Sequence, residues 1–239
     1  MKKIILVLLG ATVLQAKVYM AQIQPYEKIE VVSETSGLIV NINRTQEFAY
    51  VSGSKSIVEV EKEREEIELS GLKKSLHLSQ KIYKLKKSNF QSKNRVKQIS
   101  RYEKNLEEGS VYEIQNSIVE LQKNIKLLEY QKKKKSFFVK DKYINRIFVR
   151  EGDYVDVGTK IMEVYDISKS KIELYIRASE IKNISEKTIM IDGKSSSFKI
   201  EKISMVRDSH NLSSFLVRLV KDAVSLEGYF GDVVKVEFK

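Results

Sequence analysis

The chain has 239 residues, enough for one large domain or two to three small ones, and its hydrophobic fraction of 42% is ordinary for a protein that packs a core. It carries 43 lysines and arginines against 32 acids, a formal net charge of +11; the lysines alternate with glutamates along much of the chain, which favours a solvated face over a nucleic-acid patch. The absence of cysteine excludes disulfides, thiolate metal sites, a cysteine nucleophile and a lipid-modified N-terminal cysteine, and the lone proline, Pro25, leaves room for long unbroken helices.

The first residues read as an export signal. Lys2 and Lys3 precede an apolar run from Ile4 to Leu14 and the small residue Ala16. That order of charge, short apolar core and small residue predicts a signal peptide over residues 1–16, cleaved after Ala16, with Ala21 as the alternative. The run is about 11 residues, well short of the roughly 20 that span a bilayer. No second apolar span follows, so the mature chain is expected to be soluble in the periplasm, where nucleic acid is not a partner.

From residue 26 to 60 apolar and polar residues alternate: Ile29 and Val31, then Leu38, Val40 and Ile42, then Val58 and Val60. With Gly37 and Gly53 as turns, this predicts short strands. Residues 61–136 change period. Val111, Ile114, Ile118, Leu121, Ile125 and Leu128 form a heptad seam, and Leu69, Leu72, Leu76, Tyr83 and Phe90 mark a rougher stripe that Val96, Ile99 and Leu106 continue. Glu107-Glu108-Gly109-Ser110 reads as a helix stop, and Ser110 with Glu113 as the capping box of a second helix. The expected product is an antiparallel coiled-coil hairpin, with unequal arms; a turn at Ser88-Asn89 is the alternative.

The strand texture returns at Phe137. Gly152 and Gly158 mark turns in the stretch to Asp166, and five further short strands over 167–239, with turns at Asp192-Gly193, Gly228 and Gly231, predict a small β-barrel. The fold class is therefore mixed α and β.

Two segments flanking the helices form a weak internal repeat. Ile147-Phe-Val-Arg-Glu-Gly-Asp-Tyr-Val-Asp-Val-Gly-Thr-Lys-Ile-Met-Glu-Val164 resembles the half-motif of biotinyl and lipoyl domains. Ser36 to Ile42 and Gly53 to Val60 form a degraded first copy, with Gln46-Glu47-Phe48 in place of the Glu-Gly-Asp turn. Leu226-Glu-Gly-Tyr-Phe-Gly-Asp-Val233 and Ala178 to Ile184 resemble barrel segments of the periplasmic adaptors, or membrane fusion proteins (HlyD-like efflux subunits), whose motif order this chain follows over residues 20–239. The resemblance implies a split lipoyl-like (barrel-sandwich hybrid) domain in two halves, 17–60 and 137–166, around the α-helical hairpin at 61–136, and a β-barrel at 167–239. It also implies that the chain lacks the membrane-proximal domain of larger adaptors.

The same resemblance assigns a role. Arg101-Tyr-Glu-Lys-Asn-Leu-Glu-Glu-Gly-Ser-Val-Tyr112 resembles the adaptor hairpin tip that meets an outer-membrane channel. Arg101 matches; Asn105 falls where leucine is usual, with Leu106 one residue late, and Tyr112 replaces serine, with Ser110 two residues early. Gly109 completes the expected tip. The implied partners are an inner-membrane transporter, an outer-membrane channel and further copies in a ring. The transporter is expected to be of the resistance-nodulation-division class, with an ATP-driven or type I exporter as the alternative. An exported coiled-coil scaffold or envelope-binding module is the reading from another class.

No enzyme chemistry is expected. His77 and His210 are far apart, no phosphate loop or nucleophile elbow occurs, and acids such as Asp208 stand alone. Met162, Met190 and Met205 read as core residues, and no cofactor or metal is expected. The lipoyl-like halves lack the lysine-bearing turn of a carrier domain. The basic run Lys132–Lys135 has two readings, a solvated helix C-terminus or a contact with the membrane surface.

Overall fold

A computed structural model describes residues 17–207, 213–222 and 229–239. The expected signal peptide, Asp208, His210 and the expected turn at Gly228 lie outside the described residues. In chain order the elements are β1 (Val18–Gln22), β2 (Gln24–Val32), β3 (Gly37–Ile42), β4 (Tyr50–Val60), α1 (Glu63–Asn94), α2 (Arg101–Lys134), β5 (Ser136–Ile147), β6 (Tyr154–Val155), β7 (Lys160–Arg177), β8 (Ile189–Ile191), β9 (Lys194–Ser195), β10 (Lys199–Arg207), β11 (Ser214–Asp222) and β12 (Val233–Phe238). The sheets are antiparallel wherever their register is defined.

The chain divides into two units, one of residues up to 29 and 165–239, the other of 30–164. In the first, one sheet runs β1-β12-β8-β9 and another joins β10, β11 and the later part of β7. Strand alternation supplies its core: Ile172, Leu174 and Ile176 of β7 face Val217 and Leu219 of β11, with Val234, Val236 and Phe238 of β12. Residues 17–29 were expected with the first lipoyl-like half. They belong here instead, because β1 pairs with β12 from Val18↔Glu237 to Gln22↔Val233, and Tyr19 meets Phe238 edge-to-face at 6.2 Å. Met205 is 97% exposed on β10 and so is not a core residue, whereas Met162 is fully buried.

The second unit carries strands β7-β5-β4-β3-β6 in that order, with residues 160–164 supplying its share of β7, and both helices. The helices rise from neighbouring positions: Glu59 on β4 pairs with Ser136 on β5, and the Val60 N–H donates to the Lys135 carbonyl at 2.8 Å. Gly37 opens β3 at φ +152, and a Cβ there would lie 2.6 Å from Val60 Cγ1, so only glycine fits. Gly53 does not make a turn. It lies within β4 at a bulge, where the ladder shifts between Val51 and Ser54 and the Gly53 N–H donates to Asp141 Oδ1 at 2.8 Å.

Candidate functional site

The helix pair is built on two continuous seams. In α1 the half-buried or buried positions are Glu65, Leu69, Leu72, Leu76, Ser79, Tyr83, Lys86 and Phe90, alternating by four and three; in α2 they run from Lys104 and Glu107 through Val111 to Leu128 and Lys132, with Lys135 just past its end. Leu69, Ile125 and Leu128 are the buried centre, with Leu72 and Leu76 against them. Ion pairs Lys132–Glu66 at 2.7 Å, Lys73–Glu129 at 2.8 Å and Lys93–Glu107 run in opposite order along the two helices, so the helices are antiparallel.

The turn lies at residues 95–100, not at Glu107–Ser110. Ser100 caps α2: its Oγ accepts from the Glu103 N–H at 3.2 Å, and Glu103 Oε2 accepts from the Ser100 N–H at 3.2 Å. Gly109 and Ser110 lie inside α2, where the Ser110 Oγ donates to the Glu107 carbonyl at 2.9 Å. One glycine in a helix costs about 1 kcal/mol, a cost that a helix of 34 residues carries at Gly109. The arms of 32 and 34 residues are thereby nearly equal, each about 50 Å long.

Of the expected tip residues, Arg101 is the first residue of α2 and Asn105 and Leu106 lie in its first two turns; Leu106 is 64% exposed. Gly109, Ser110 and Tyr112 are farther down the helix, Tyr112 about 17 Å along the axis from Arg101. The Tyr112 hydroxyl donates to Glu108 Oε1 at 3.0 Å, and this hydrogen bond pushes its pKa up. Val96, Ile99 and Tyr102 at the turn were not read as tip residues; the Ser100-Arg-Tyr-Glu103 spacing is the signal that finds them. Val96 and Leu106 are exposed and do not continue the seam.

At the other end of the helices the basic run is largely engaged. Lys132 pairs with Glu66, Lys134 with Glu34 at 2.8 Å and Lys135 with Glu65 at 2.5 Å. Burial pushes the Glu65 carboxyl up, but hydrogen bonds from Lys135 and the backbone, with the charges of Lys135 and Arg64, hold it below the usual carboxylate range. The run therefore fastens the helix base through Lys132, Lys134 and Lys135.

The two repeat copies meet in the β-strands of this unit. Ile39, Ile42, Val51, Ile57 and Val60 in and beside the first copy, and Ile144, Ile147, Val155, Ile161 and Val164 in and beside the second, are all buried. Glu47 occupies the place of Glu151. Phe48, at φ +59, takes the place of Gly152, at φ +87. Among the described residues no cluster of three or more His, Asp or Glu is placed to hold a metal, and no helix is long and apolar enough to cross a membrane.

No protein-family model and no curated protein matches the sequence. Solved structures do match in shape. The membrane fusion protein Spr0693 of Streptococcus pneumoniae R6 superposes with a TM-score of 0.69 at 8% identity, over 94% of this chain and 99% of that one. A MacA–MexA chimera containing the Pseudomonas aeruginosa MexA α-hairpin domain gives 0.67 at 14% identity, over 93% and 81%. MacA of Actinobacillus actinomycetemcomitans gives 0.57 at 16% identity, over 94% and 79%. The chain has the fold of the membrane fusion, or periplasmic adaptor, proteins.

Proposed function

We propose that this chain is a periplasmic adaptor, which couples an inner-membrane transporter to an outer-membrane channel while several copies ring the export path. The observation that carries the reading is the insertion itself: a pair of helices about 50 Å long stands on adjacent residues of one β-ladder, between two copies of a half-motif. Likeness of fold to membrane fusion proteins over more than nine-tenths of the chain supports it.

In this reading residues 30–60 and 137–164 are the split lipoyl-like domain, 61–136 the coiled-coil hairpin, and 17–29 with 165–239 the small β-barrel. Residues 1–16 direct export and are removed. The hairpin turn meets the channel through Arg101, with Tyr102, Asn105 and Leu106 beside it. A guanidinium suits such an end-on contact because its planar fork can donate to the exposed carbonyls of facing helix ends. The transporter is of the resistance-nodulation-division class, the cargo is a small molecule, and no covalent chemistry occurs on this chain.

The test is affinity capture of the full chain from crosslinked cell envelopes, with mass spectrometry of the partners. Recovery of an inner-membrane transporter together with an outer-membrane channel is the expected result, and the transporter's own sequence decides between an ion-driven and an ATP-driven pump. Recovery of neither, from cells where the protein is abundant and folded, overturns the reading in favour of an envelope scaffold.

A further inference from the structure

The loop between β3 and β4 holds an aromatic residue where its counterpart is glycine. Phe48 has φ +59, a conformation that bulky residues adopt rarely. The loop is pinned there: the Phe48 N–H donates to the Ile144 carbonyl at 2.9 Å, the Ile144 N–H donates to the Ala49 carbonyl at 3.0 Å, and Glu47 Oε1 accepts from the Ile147 N–H at 2.9 Å. Burial does not compensate for the strain, because Phe48 is 70% exposed. Backbone strain of this kind, kept without burial in return, is concentrated at ligand clamps and other functional sites.

Glu47, the residue before Phe48, lines an open cleft of about 680 Å³ together with Arg44, Arg146, Phe148, Arg150 and Glu151. Both carboxylates are turned to the backbone, Glu47 to Ile147 and Glu151 to the Ile42 N–H at 3.0 Å. Arg44 is held by the Val149 carbonyl at 2.5 Å and by Glu47 at 3.5 Å. Arg146 stacks over Phe148 at 5.7 Å, and neither it nor Arg150 has a side-chain ion pair among the described residues. Aromatic and arginine side chains are those that carry binding energy in protein interfaces, and a guanidinium takes a carboxylate through two parallel hydrogen bonds.

We propose that Phe48 and the Arg146–Arg150 cleft form a docking site for an acidic segment of a partner protein, an apolar or aromatic residue flanked by carboxylates. The guanidiniums bind the carboxylates and Phe48 packs on the apolar residue. A concave site with two uncommitted guanidiniums suits a peptide carrying carboxylates better than a flat anionic lipid surface. The site does not depend on the adaptor reading, since neither the helix turn nor a transporter enters its derivation.

The test is photo-crosslinking in living cells from p-benzoylphenylalanine placed at position 48 of the full chain, with position 157 as control because Val157 is 73% exposed in the same unit. The expected result is an adduct from position 48 alone, mapped by mass spectrometry to a protein segment with two or more carboxylates beside the linked residue. Its yield falls about tenfold or more in the Arg146→Glu, Arg150→Glu double variant, whose thermal melt shows it folded. A yield no greater than at position 157, an adduct to lipid, a mapped segment without carboxylates, or a yield indifferent to the double variant overturns the proposal.

Discussion

Glu47 and Glu151 each hold the other repeat copy: Glu47 Oε1 accepts from the Ile147 N–H at 2.9 Å, and Glu151 Oε1 accepts from the Ile42 N–H at 3.0 Å. The two half-motifs are thus stitched reciprocally where their apolar cores meet. Glu151→Ala leaves the Ile42 N–H without its acceptor and is expected to lower stability by about 1–3 kcal/mol. Glu151→Gln keeps an acceptor oxygen and recovers most of that loss. Urea unfolding of both variants checks it; equal losses would mean that the charge, not the hydrogen bond, holds the strand end.

Phe48 gives a prediction of opposite sign. Phe48→Gly removes a side chain from a left-handed position, where a non-glycine residue costs about 1–2 kcal/mol, and little burial is lost. The variant is expected to be more stable by about 1 kcal/mol, read as a higher urea midpoint.

Gly37 tolerates no side chain. In Gly37→Ala the new Cβ overlaps Val60 Cγ1 at 2.6 Å, and overpacking of this kind costs about 1–3 kcal/mol. Adding Val60→Ala removes the overlapping atom, so the double variant should lose less than the sum of the two single losses. Strict additivity in thermal melts would place the strain in the backbone alone.

Ser100 and Ser110 separate the two places for the helix start. Ser100→Ala removes a capping box and is expected to cost about 1 kcal/mol, whereas Ser110→Ala, inside the helix, stays within about 0.5 kcal/mol. Hydrogen exchange of the amides from 101 to 104 reads the difference directly, since fraying is confined to an uncapped end.

The Glu65–Lys135 pair makes the helix base sensitive to acid. Glu65 has a lowered pKa in the folded protein, so its contribution is fully present above the unfolded carboxylate value and is lost as pH falls through the folded one. The stability gap between the native chain and Glu65→Gln should be widest near neutral pH and should close below about pH 4. At neutral pH, Lys135→Ala strands the largely buried Glu65 carboxylate, whose Oε2 has no hydrogen-bond partner, and is expected to cost about 1–3 kcal/mol.

How much could be read in advance depended on whether the signal was local. The α2 seam from Val111 to Leu128 was legible because every position is apolar, whereas in α1 Ser79 and Lys86 occupy seam positions and hide the same period. The turn was misplaced because two Ser-x-x-Glu patterns ten residues apart compete, and Gly109 favours the wrong one until the partner helix is in place. Glu47 went unrecognised as a counterpart of Glu151 because the phenylalanine that follows it stands where a glycine was sought. No local pattern pairs Val18 with Glu237, since that contact forms only when the chain's two ends are brought together.

The feet of the helix pair, Glu59 and Ser136, are partners in one β-ladder, so everything between them is, to the sheet, a single hairpin loop. Such a loop is a cassette. Whole heptads can be added to or removed from both arms together without altering a strand register, and a short turn can replace the pair outright. Reach becomes a quantity that insertions and deletions tune independently of the β-scaffold.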